Sequence, residues 1–149
     1  SDKGEVPEGE YLLPIGVADI KRKGKDVTVI SFGKMMKVAL EAAEEMAKQG
    51  IECEVIDLRT VRPIDYATCV ESLKKTNRVV VVEEANPVAA ISSELAYHFQ
   101  RHAFDYLDAP VIRVNSMDIP LSYAPTYIDV TIPNVKRTVE AINKVLYKS

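Results

Sequence analysis

Two short runs of the chain are apolar at nearly every position. Residues 27–31 and 79–82 lack the polar residue at every second position that marks a strand with one face in solvent. Such runs are typical of strands buried on both faces of a parallel sheet. Residues 51–58 and 111–114 give two further strands, and residues 17–21 give a short first strand before a polar turn. The pattern therefore predicts a sheet with strands from these segments.

Apolar positions also recur at intervals of three and four residues, which predicts amphipathic helices between and after the strands. Asp65 is expected to cap the start of the second helix, while Gly50 and Asn77 are expected to end the first and the second. Residues 115–133 contain several prolines and are predicted to be irregular. The predicted helices cover about residues 36–47, 65–75, 91–102 and 134–146.

Strands and helices therefore alternate along most of the chain. This order implies right-handed crossovers and a doubly wound α/β sheet. Before the first strand, residues 1–14 carry glycines and prolines among charges. They are predicted to be an extended linker, with folded structure beginning near Ile15.

Composition indicates an ordered globular domain but no particular function. The chain has 149 residues, of which 47% are hydrophobic and 28% charged, values that argue against disorder. A formal net charge of -3 argues against nucleic acid as a partner. No apolar run reaches the ~20 residues of a membrane helix, and the N-terminus lacks the features of a signal peptide. Because the chain begins at Ser1 without an initiating methionine, we expect a processed form or a piece of a longer protein.

The cysteines and paired methionines favour packing over chemistry. Cys53 lies in a predicted strand and Cys69 in a predicted helix, and neither has a neighbour at the spacing of a metal site. We expect two buried thiols that pack as small apolar groups, which points to an intracellular compartment. Met35 and Met36 are expected to pack in the core.

Candidate chemistry was sought where loops leave the carboxyl ends of strands, since doubly wound folds bind ligands there. Ser31, Gly33 and Lys34 could bind a phosphate at a helix N-terminus or form a structural turn, and no Walker or dinucleotide motif is present. The segment 57–65 holds two arginines and two aspartates. This loop is interpreted as one held by Arg–Asp pairs, with an anion or partner site as the alternative.

Two further pairs of residues are candidates for an acid–base or metal site. Glu83 and Glu84 are adjacent on extended backbone, so their side chains point to opposite sides, and we expect one buried and one in solvent. His98 and His102 share a helix face, yet no third metal ligand is evident nearby. Residue chemistry alone predicts an α/β domain without an evident nucleophile, base or metal shell.

A series of short motifs, in a fixed order and spacing, gives the chain a family resemblance. It resembles the C-terminal, transketolase-type domain of the beta subunit of thiamine-diphosphate-dependent 2-oxoacid dehydrogenases. The segment Leu-Asp-Ala-Pro at 107–110 favours the pyruvate dehydrogenase type. The motifs are Leu-Pro-Ile-Gly at 13–16, Glu-Val-Ile-Asp-Leu-Arg-Thr-Val-Arg-Pro-Ile-Asp at 54–65, Lys-Thr-Asn-Arg at 75–78, Phe-Asp-Tyr-Leu-Asp-Ala-Pro at 104–110 and Asp-Ile-Pro at 118–120.

The resemblance implies a three-layer α/β/α fold for residues 15–149, with a five-stranded, mostly parallel mixed sheet whose first strand is antiparallel. The full enzyme of this family oxidatively decarboxylates pyruvate and acetylates the lipoyl group of an acyltransferase, using thiamine diphosphate and magnesium. The catalytic histidine and the cofactor ligands belong to an N-terminal pyrimidine-binding domain and to the alpha subunit. The resemblance therefore implies that residues 1–14 link to that missing domain. It also implies that this chain alone binds no cofactor or metal, has no catalytic residue and is inactive.

The resemblance further implies an assembly role. Such domains contribute to a heterotetramer with the alpha subunit and a second beta subunit, and they dock the peripheral-subunit-binding domain of the dihydrolipoyl acyltransferase. Asp108 matches the acidic position associated with that docking, and the chain terminus at Ser149 is expected to take part. From the residues alone, Asp108 is interpreted as a turn residue that caps its own loop, and only with the resemblance is the docking role equally supported.

The chain departs from the family pattern at several positions and leaves other functions open. Asn86 stands where the family has a bulky residue, Ala89 and Ala90 where it often has glycine, and Ser122 where it has proline. The alternatives are a branched-chain 2-oxoacid dehydrogenase, a transketolase-type fragment, or a free-standing ligand-binding module that uses the turn at 31–34. The expected location is the bacterial cytoplasm or, in a eukaryote, the mitochondrial matrix.

Overall fold

A five-stranded mixed sheet forms the centre of the protein in a computed structural model, which describes residues 5, 8–121 and 123–148. Each strand lies within two residues of the bounds that the hydrophobic pattern predicts. The strands are β1 (Asp19–Arg22), β2 (Val27–Ser31), β3 (Cys53–Asp57), β4 (Val79–Glu83) and β5 (Ile112–Asn115).

The strands lie in the order β1-β3-β2-β4-β5. β1 runs antiparallel to β3, with Asp19 opposite Asp57, while the other three pairings are parallel. In the middle of the sheet, Val29 of β2 lies opposite Val55 on one side and Val80 on the other. The predicted mixed sheet with an antiparallel first strand is confirmed.

The predicted helices are also present, each within one residue of its expected bounds. Asp65 accepts a hydrogen bond from the N–H of Thr68 at 3.0 Å and so caps the second helix as predicted. Asn77 and Gly50 take the left-handed conformation, with φ of 61° and 77°, and end their helices. The helices are α1 (Met35–Ala47), α2 (Tyr66–Thr76), α3 (Ile91–His102), α4 (Pro125–Thr131) and α5 (Val135–Val145).

Helix α4 corrects the prediction that residues 115–133 are irregular. Proline fits the first turn of a helix, where the backbone N–H it lacks would have no partner, and Pro125 occupies that position. Among the residues of α4 only Thr131 is buried, so the segment has no apolar periodicity to reveal it. A single 3-10 turn at Phe104–Tyr106 was likewise not predicted.

Helices cover both faces of the sheet and give the predicted three layers. Alternate residues of the central strands point to opposite faces, so that each face has a core of its own. One core joins Val29 and Val80 to α1 and α5, and the other joins Ile30 and Val81 to α2 and α3. None of the helices among the described residues has the length and apolar character that crossing a membrane requires.

Polar side chains are buried under α2, where the sheet meets that helix. Thr28 of β2 lies 2.6 Å from the hydroxyl of Ser72 and 2.7 Å from that of Thr76. The neighbouring carboxylate of Glu54 is almost fully buried, pairs with the ammonium of Lys75 and accepts the N–H of Gly24. Burial alone would raise the pKa of Glu54, but these donors outweigh it and lower the pKa.

We expect the Glu54→Gln substitution to make folding less sensitive to acid. Because the folded-state pKa of Glu54 is lowered, its ionised form stabilises the fold above about pH 4.5 and this contribution is lost as the pH falls further. Urea unfolding across pH 3 to 7 should therefore show the wild type losing its advantage over the variant at low pH. A constant difference between the two proteins would contradict this role, and Lys75→Gln, which removes a cause of the lowered pKa, should make the loss at low pH smaller.

Candidate docking site

The loop that leads from α3 to β5 carries Asp108 at the amino end of the sheet, where β4 and β5 begin. The 3-10 turn at its start brings the loop against the turn between α2 and β4. The N–H of Asp108 donates to the carbonyl of Asn77 at 2.9 Å, and the amide of Asn77 donates to the carbonyl of Tyr106 at 2.9 Å. These two hydrogen bonds fix the position of the Asp108 backbone.

The carboxylate of Asp108 faces a cation from the turn next to it. Its Oδ2 lies 3.7 Å from Nη2 of Arg78, and Nε of Arg78 donates to the carbonyl of Val145 at 3.1 Å. Among the described residues the carboxylate makes this ion pair and no hydrogen bond to its own loop. The side chain of Asp108 is still 55% exposed, so a partner can reach it.

A surface groove of about 440 Å³ lies beside Asp108. Its floor is apolar and includes Leu107 and Val111, and its rim carries the rings of Phe104 and Tyr147. Tyr147 follows α5 and donates its hydroxyl to the Asp108 carbonyl at 3.1 Å, which brings the end of the chain to the groove. Ser149, the other predicted docking residue, lies outside the described residues.

The groove combines the features that bind a cationic side chain. A half-exposed carboxylate attracts an ammonium or guanidinium group, and exposed aromatic rings bind the same groups through their faces. Phe104 is 65% exposed and Tyr147 72% exposed, so both rings are accessible to a partner. These two rings and Arg78 were not predicted, since no local pattern in the sequence brings them to Asp108.

The carboxyl end of β2, one of the places considered for a ligand, forms a structural turn. The Ser31 hydroxyl is buried and donates to the carbonyl of Val82 at 2.8 Å. Gly33 takes a φ of 58° at the turn into α1. With its hydroxyl used inside the sheet, Ser31 is not available to a phosphate, which favours the structural interpretation of this turn.

Arginine and aspartate side chains hold the loop after β3. Arg59 pairs with Asp19 of β1 at 2.8 Å, and Asp57 accepts the N–H of Arg59 at 3.0 Å. Asp65 accepts the N–H of Ala18 at 3.0 Å, which ties the start of the fold to the same loop. Burial would raise the pKa of Asp65, but its hydrogen bonds lower it. The loop is therefore locked by ionic contacts, as one of the two interpretations predicts.

Glu83 and Glu84 differ in burial, which confirms the prediction for this pair. Glu83 is 4% exposed and accepts the N–H groups of Ile91 and Ser92 at 3.1 and 2.8 Å, whereas Glu84 is exposed. A carboxylate at this place accepts hydrogen bonds from free backbone N–H groups at the start of α3. Its negative charge also interacts favourably with the positive end of the helix dipole. Asn115 lies beside it and bonds to Ser92. Glu83 therefore holds α3 to the sheet.

The histidines and cysteines are packed side chains. His98 stacks on Tyr66 with 3.8 Å between ring centroids, and burial, together with His102, lowers its pKa. Cys53 and Cys69 are buried in different cores, as predicted, and burial raises the pKa of each thiol to about 12. Within the described part of the chain, no three histidine, cysteine or acidic residues are grouped to hold a metal ion.

Comparison with known proteins places this geometry in a family. The family model described as the transketolase C-terminal domain matches residues 16–137. The chain belongs to this family. A solved structure titled split gene transketolase, inactive beta4 tetramer, matches with a TM-score of 0.80 and 28% identity, covering 97% of this chain and 46% of that one.

Curated relatives are similar over almost the whole chain. The chain is 47% identical to the beta subunit of the pyruvate dehydrogenase E1 component of Rhizobium meliloti. The match covers 97% of this chain and 32% of that protein. The mitochondrial subunit of the same name from Dictyostelium discoideum is 45% identical, over 94% of this chain and 39% of that protein. The beta subunit of acetoin:2,6-dichlorophenolindophenol oxidoreductase from Bacillus subtilis is 41% identical, over 97% and 42%. The chain thus spans about a third to two fifths of these proteins.

The loop before α3 contains three of the positions at which the resemblance implies a different residue, namely Asn86, Ala89 and Ala90. Ala89 has a φ of 56°, in the left-handed region that favours glycine, whereas Ala90 has an ordinary extended φ of -78°. The structure therefore gives a physical reason for glycine at position 89 and none at position 90. Asn86 is exposed in the same loop, and Ser122 lies outside the described residues.

We expect Ala89→Gly to stabilise the fold and Ala90→Gly to destabilise it. Glycine relieves the strain of a left-handed alanine, which outweighs its greater entropy in the unfolded chain, for a gain of about 0.5–1 kcal/mol. At position 90 there is no strain to relieve: the entropy cost and the loss of a buried methyl group outweigh the preference of helix N-caps for glycine over alanine, for a loss of about 0.5–1 kcal/mol. Urea unfolding of the two variants measures both changes, and shifts of the same sign would contradict this account.

Proposed function

We propose that this chain is the C-terminal assembly domain of a pyruvate dehydrogenase (acetyl-transferring) beta subunit. In this proposal it serves subunit association and docks the peripheral-subunit-binding domain of the dihydrolipoyl acyltransferase. Similarity to such beta subunits over 97% of the chain supports the enzyme. The open carboxylate of Asp108, at the edge of an aromatic groove, is the observation that carries the docking role.

The docking proposal follows from charge and from burial. A cationic side chain of the partner would bind Asp108 and lie against Phe104 or Tyr147, with its aliphatic part over the apolar floor. Closing the groove would remove water from the ion pair and strengthen it. A basic partner domain therefore fits this surface better than an acidic one.

Exposed apolar side chains elsewhere support subunit association. Leu121, Tyr123 and Tyr127 are 59%, 101% and 64% exposed in and before α4, a short helix with little contact to the core. Side chains of this size are depleted from free surfaces and enriched in interfaces. In our proposal this surface is covered by the alpha subunit or by a second beta subunit of the heterotetramer.

The segment before β1 supports a connection to a further domain. Tyr11, Leu12 and Ile15 are at least 69% exposed and lie in irregular backbone. We propose that residues 1–14 link this domain to a pyrimidine-binding domain, and that these side chains contact it. Relatives named as bacterial and as mitochondrial agree with a location in the cytoplasm or the mitochondrial matrix.

Thiamine diphosphate and magnesium belong, in this proposal, to other parts of the enzyme. The described residues do not fit a diphosphate–magnesium site, because no acidic or histidine side chains converge and the Ser31 hydroxyl is used inside the sheet. The acetoin enzyme among the relatives shares the same domain, so a dehydrogenase for a different substrate is the alternative. A ligand-binding module that uses the turn at 31–34 is the alternative of another class.

We expect this chain alone to bind no thiamine diphosphate. Calorimetric titration of the chain with cofactor and magnesium should give no binding heat, whereas the assembled enzyme with its alpha subunit should bind. Tight, magnesium-dependent binding to the chain alone would contradict the assigned role as an assembly domain. A nucleotide or phosphate panel in the same assay tests the alternative, since a ligand at 100 times its dissociation constant stabilises a fold by about 2.7 kcal/mol.

We expect Asp108→Ala to weaken binding of the peripheral-subunit-binding domain to the assembled enzyme. Loss of one partner of a charge pair that becomes desolvated costs about 2–5 kcal/mol. Asp105→Ala is the matched control, because Asp105 is an exposed acid on the same loop that does not line the groove. Surface plasmon resonance measures both, and equal affinities for the two variants would remove Asp108 from the docking site.

A further inference from the structure

Arg78 connects Asp108 to the end of α5 and to the central strand of the sheet. Its Nη2 lies 3.7 Å from Asp108, its Nε donates to the Val145 carbonyl at the end of α5, and its own carbonyl accepts the N–H of Thr28 at 2.8 Å. Its side chain is 27% exposed. Arg78 is thus held from both its side chain and its backbone, and it cannot move away from Asp108 without breaking the contact with α5.

We propose that Arg78 acts as an internal counter-ion that limits how tightly Asp108 holds a partner's cation. This inference rests on the proposed docking function and adds a determinant of its affinity. Arg78 positions the Asp108 carboxylate in the free protein and remains beside it in the complex, where two cations then share one acidic group. Arg78 is a positioning residue that opposes tight binding.

The distance between Arg78 and Asp108 indicates that a partner's cation can compete with Arg78 for the carboxylate, because no hydrogen bond closes the pair. At 3.7 Å the contact is longer than the 2.7–3.2 Å of a hydrogen bond, so Arg78 acts on Asp108 mainly through its charge. The carboxylate keeps its lone pairs for a further donor, and its exposed side faces the groove. An incoming ammonium or guanidinium group therefore meets an acid that is already partly neutralised and a cation that repels it.

Limited affinity has a consequence for an assembly surface. A partner that binds through an internally balanced carboxylate dissociates faster than one bound to an isolated acid, because the effect of such a contact lies mostly in the dissociation rate. Arg78 would therefore set the exchange rate of the docked domain without touching the partner's apolar contacts.

The test compares a neutral and a charged replacement in the full beta subunit, assembled with its alpha subunit. Arg78→Gln removes the charge and keeps a donor, while Arg78→Lys keeps the charge. We expect Arg78→Gln to bind the peripheral-subunit-binding domain about three-fold tighter at low salt, with a slower dissociation rate, and Arg78→Lys to bind like the wild type. Because Arg78 and Asp108 stay partly exposed in the free protein, salt should reduce this gain without abolishing it.

Each outcome either supports or overturns the proposal. Unchanged or weaker binding of Arg78→Gln, or the same gain in Arg78→Lys, would show that Arg78 has only a structural role. Arg78→Met serves as a second neutral variant should the glutamine variant not assemble. If Asp108→Ala also leaves binding unchanged, the docking function itself is wrong; if it weakens binding while Arg78→Gln has no effect, only the role of Arg78 is overturned.

Discussion

Burial of the central strand on both faces is the constraint on which the rest of the structure depends. All five residues of β2 are buried, including two with hydroxyl groups. Thr28 bonds to the side chains of Ser72 and Thr76 on one face, and Ser31 bonds to the backbone of β4 on the other. Since an unpaired buried polar group lowers the stability of the fold, these contacts require α2 and β4 to lie in one register against β2. Burial of β2 on both faces also requires helices on both sides of the sheet, and hence connections that alternate between strand and helix.

Local pattern was sufficient to predict most of the fold, because strand burial and helix periodicity leave a signal within a few residues. It also predicted the cap at Asp65 and the difference between Glu83 and Glu84, which depends only on the alternation of a strand. It failed for α4, whose exposed residues carry no periodicity. Local pattern predicted only part of the docking surface. Arg78 contacts Asp108 and Val145, which lie 30 and 67 residues away in the sequence, and only the topology brings them together.

The candidate site also lies at the opposite end of the sheet from the place where doubly wound folds usually bind ligands. At the carboxyl ends of β2, β3 and β4, Ser31, the Arg59–Asp19 pair and Glu83 are engaged in structural contacts. At the amino end, loops and a helix terminus offer charge and aromatic rings. Beta subunits named for a pyruvate dehydrogenase and for an acetoin oxidoreductase are both similar to this chain over 97% of its length.

The chain enters and leaves the fold at opposite ends. Gly16 donates to the Thr60 side chain in the loop after β3, at the carboxyl end, whereas Tyr147 bonds to Asp108 at the amino end. The segment before Gly16 therefore meets the fold at the end opposite to the groove. Residues that follow Tyr147 start at the mouth of the groove. A tag for purification or labelling placed after Tyr147 would therefore disturb a docked partner.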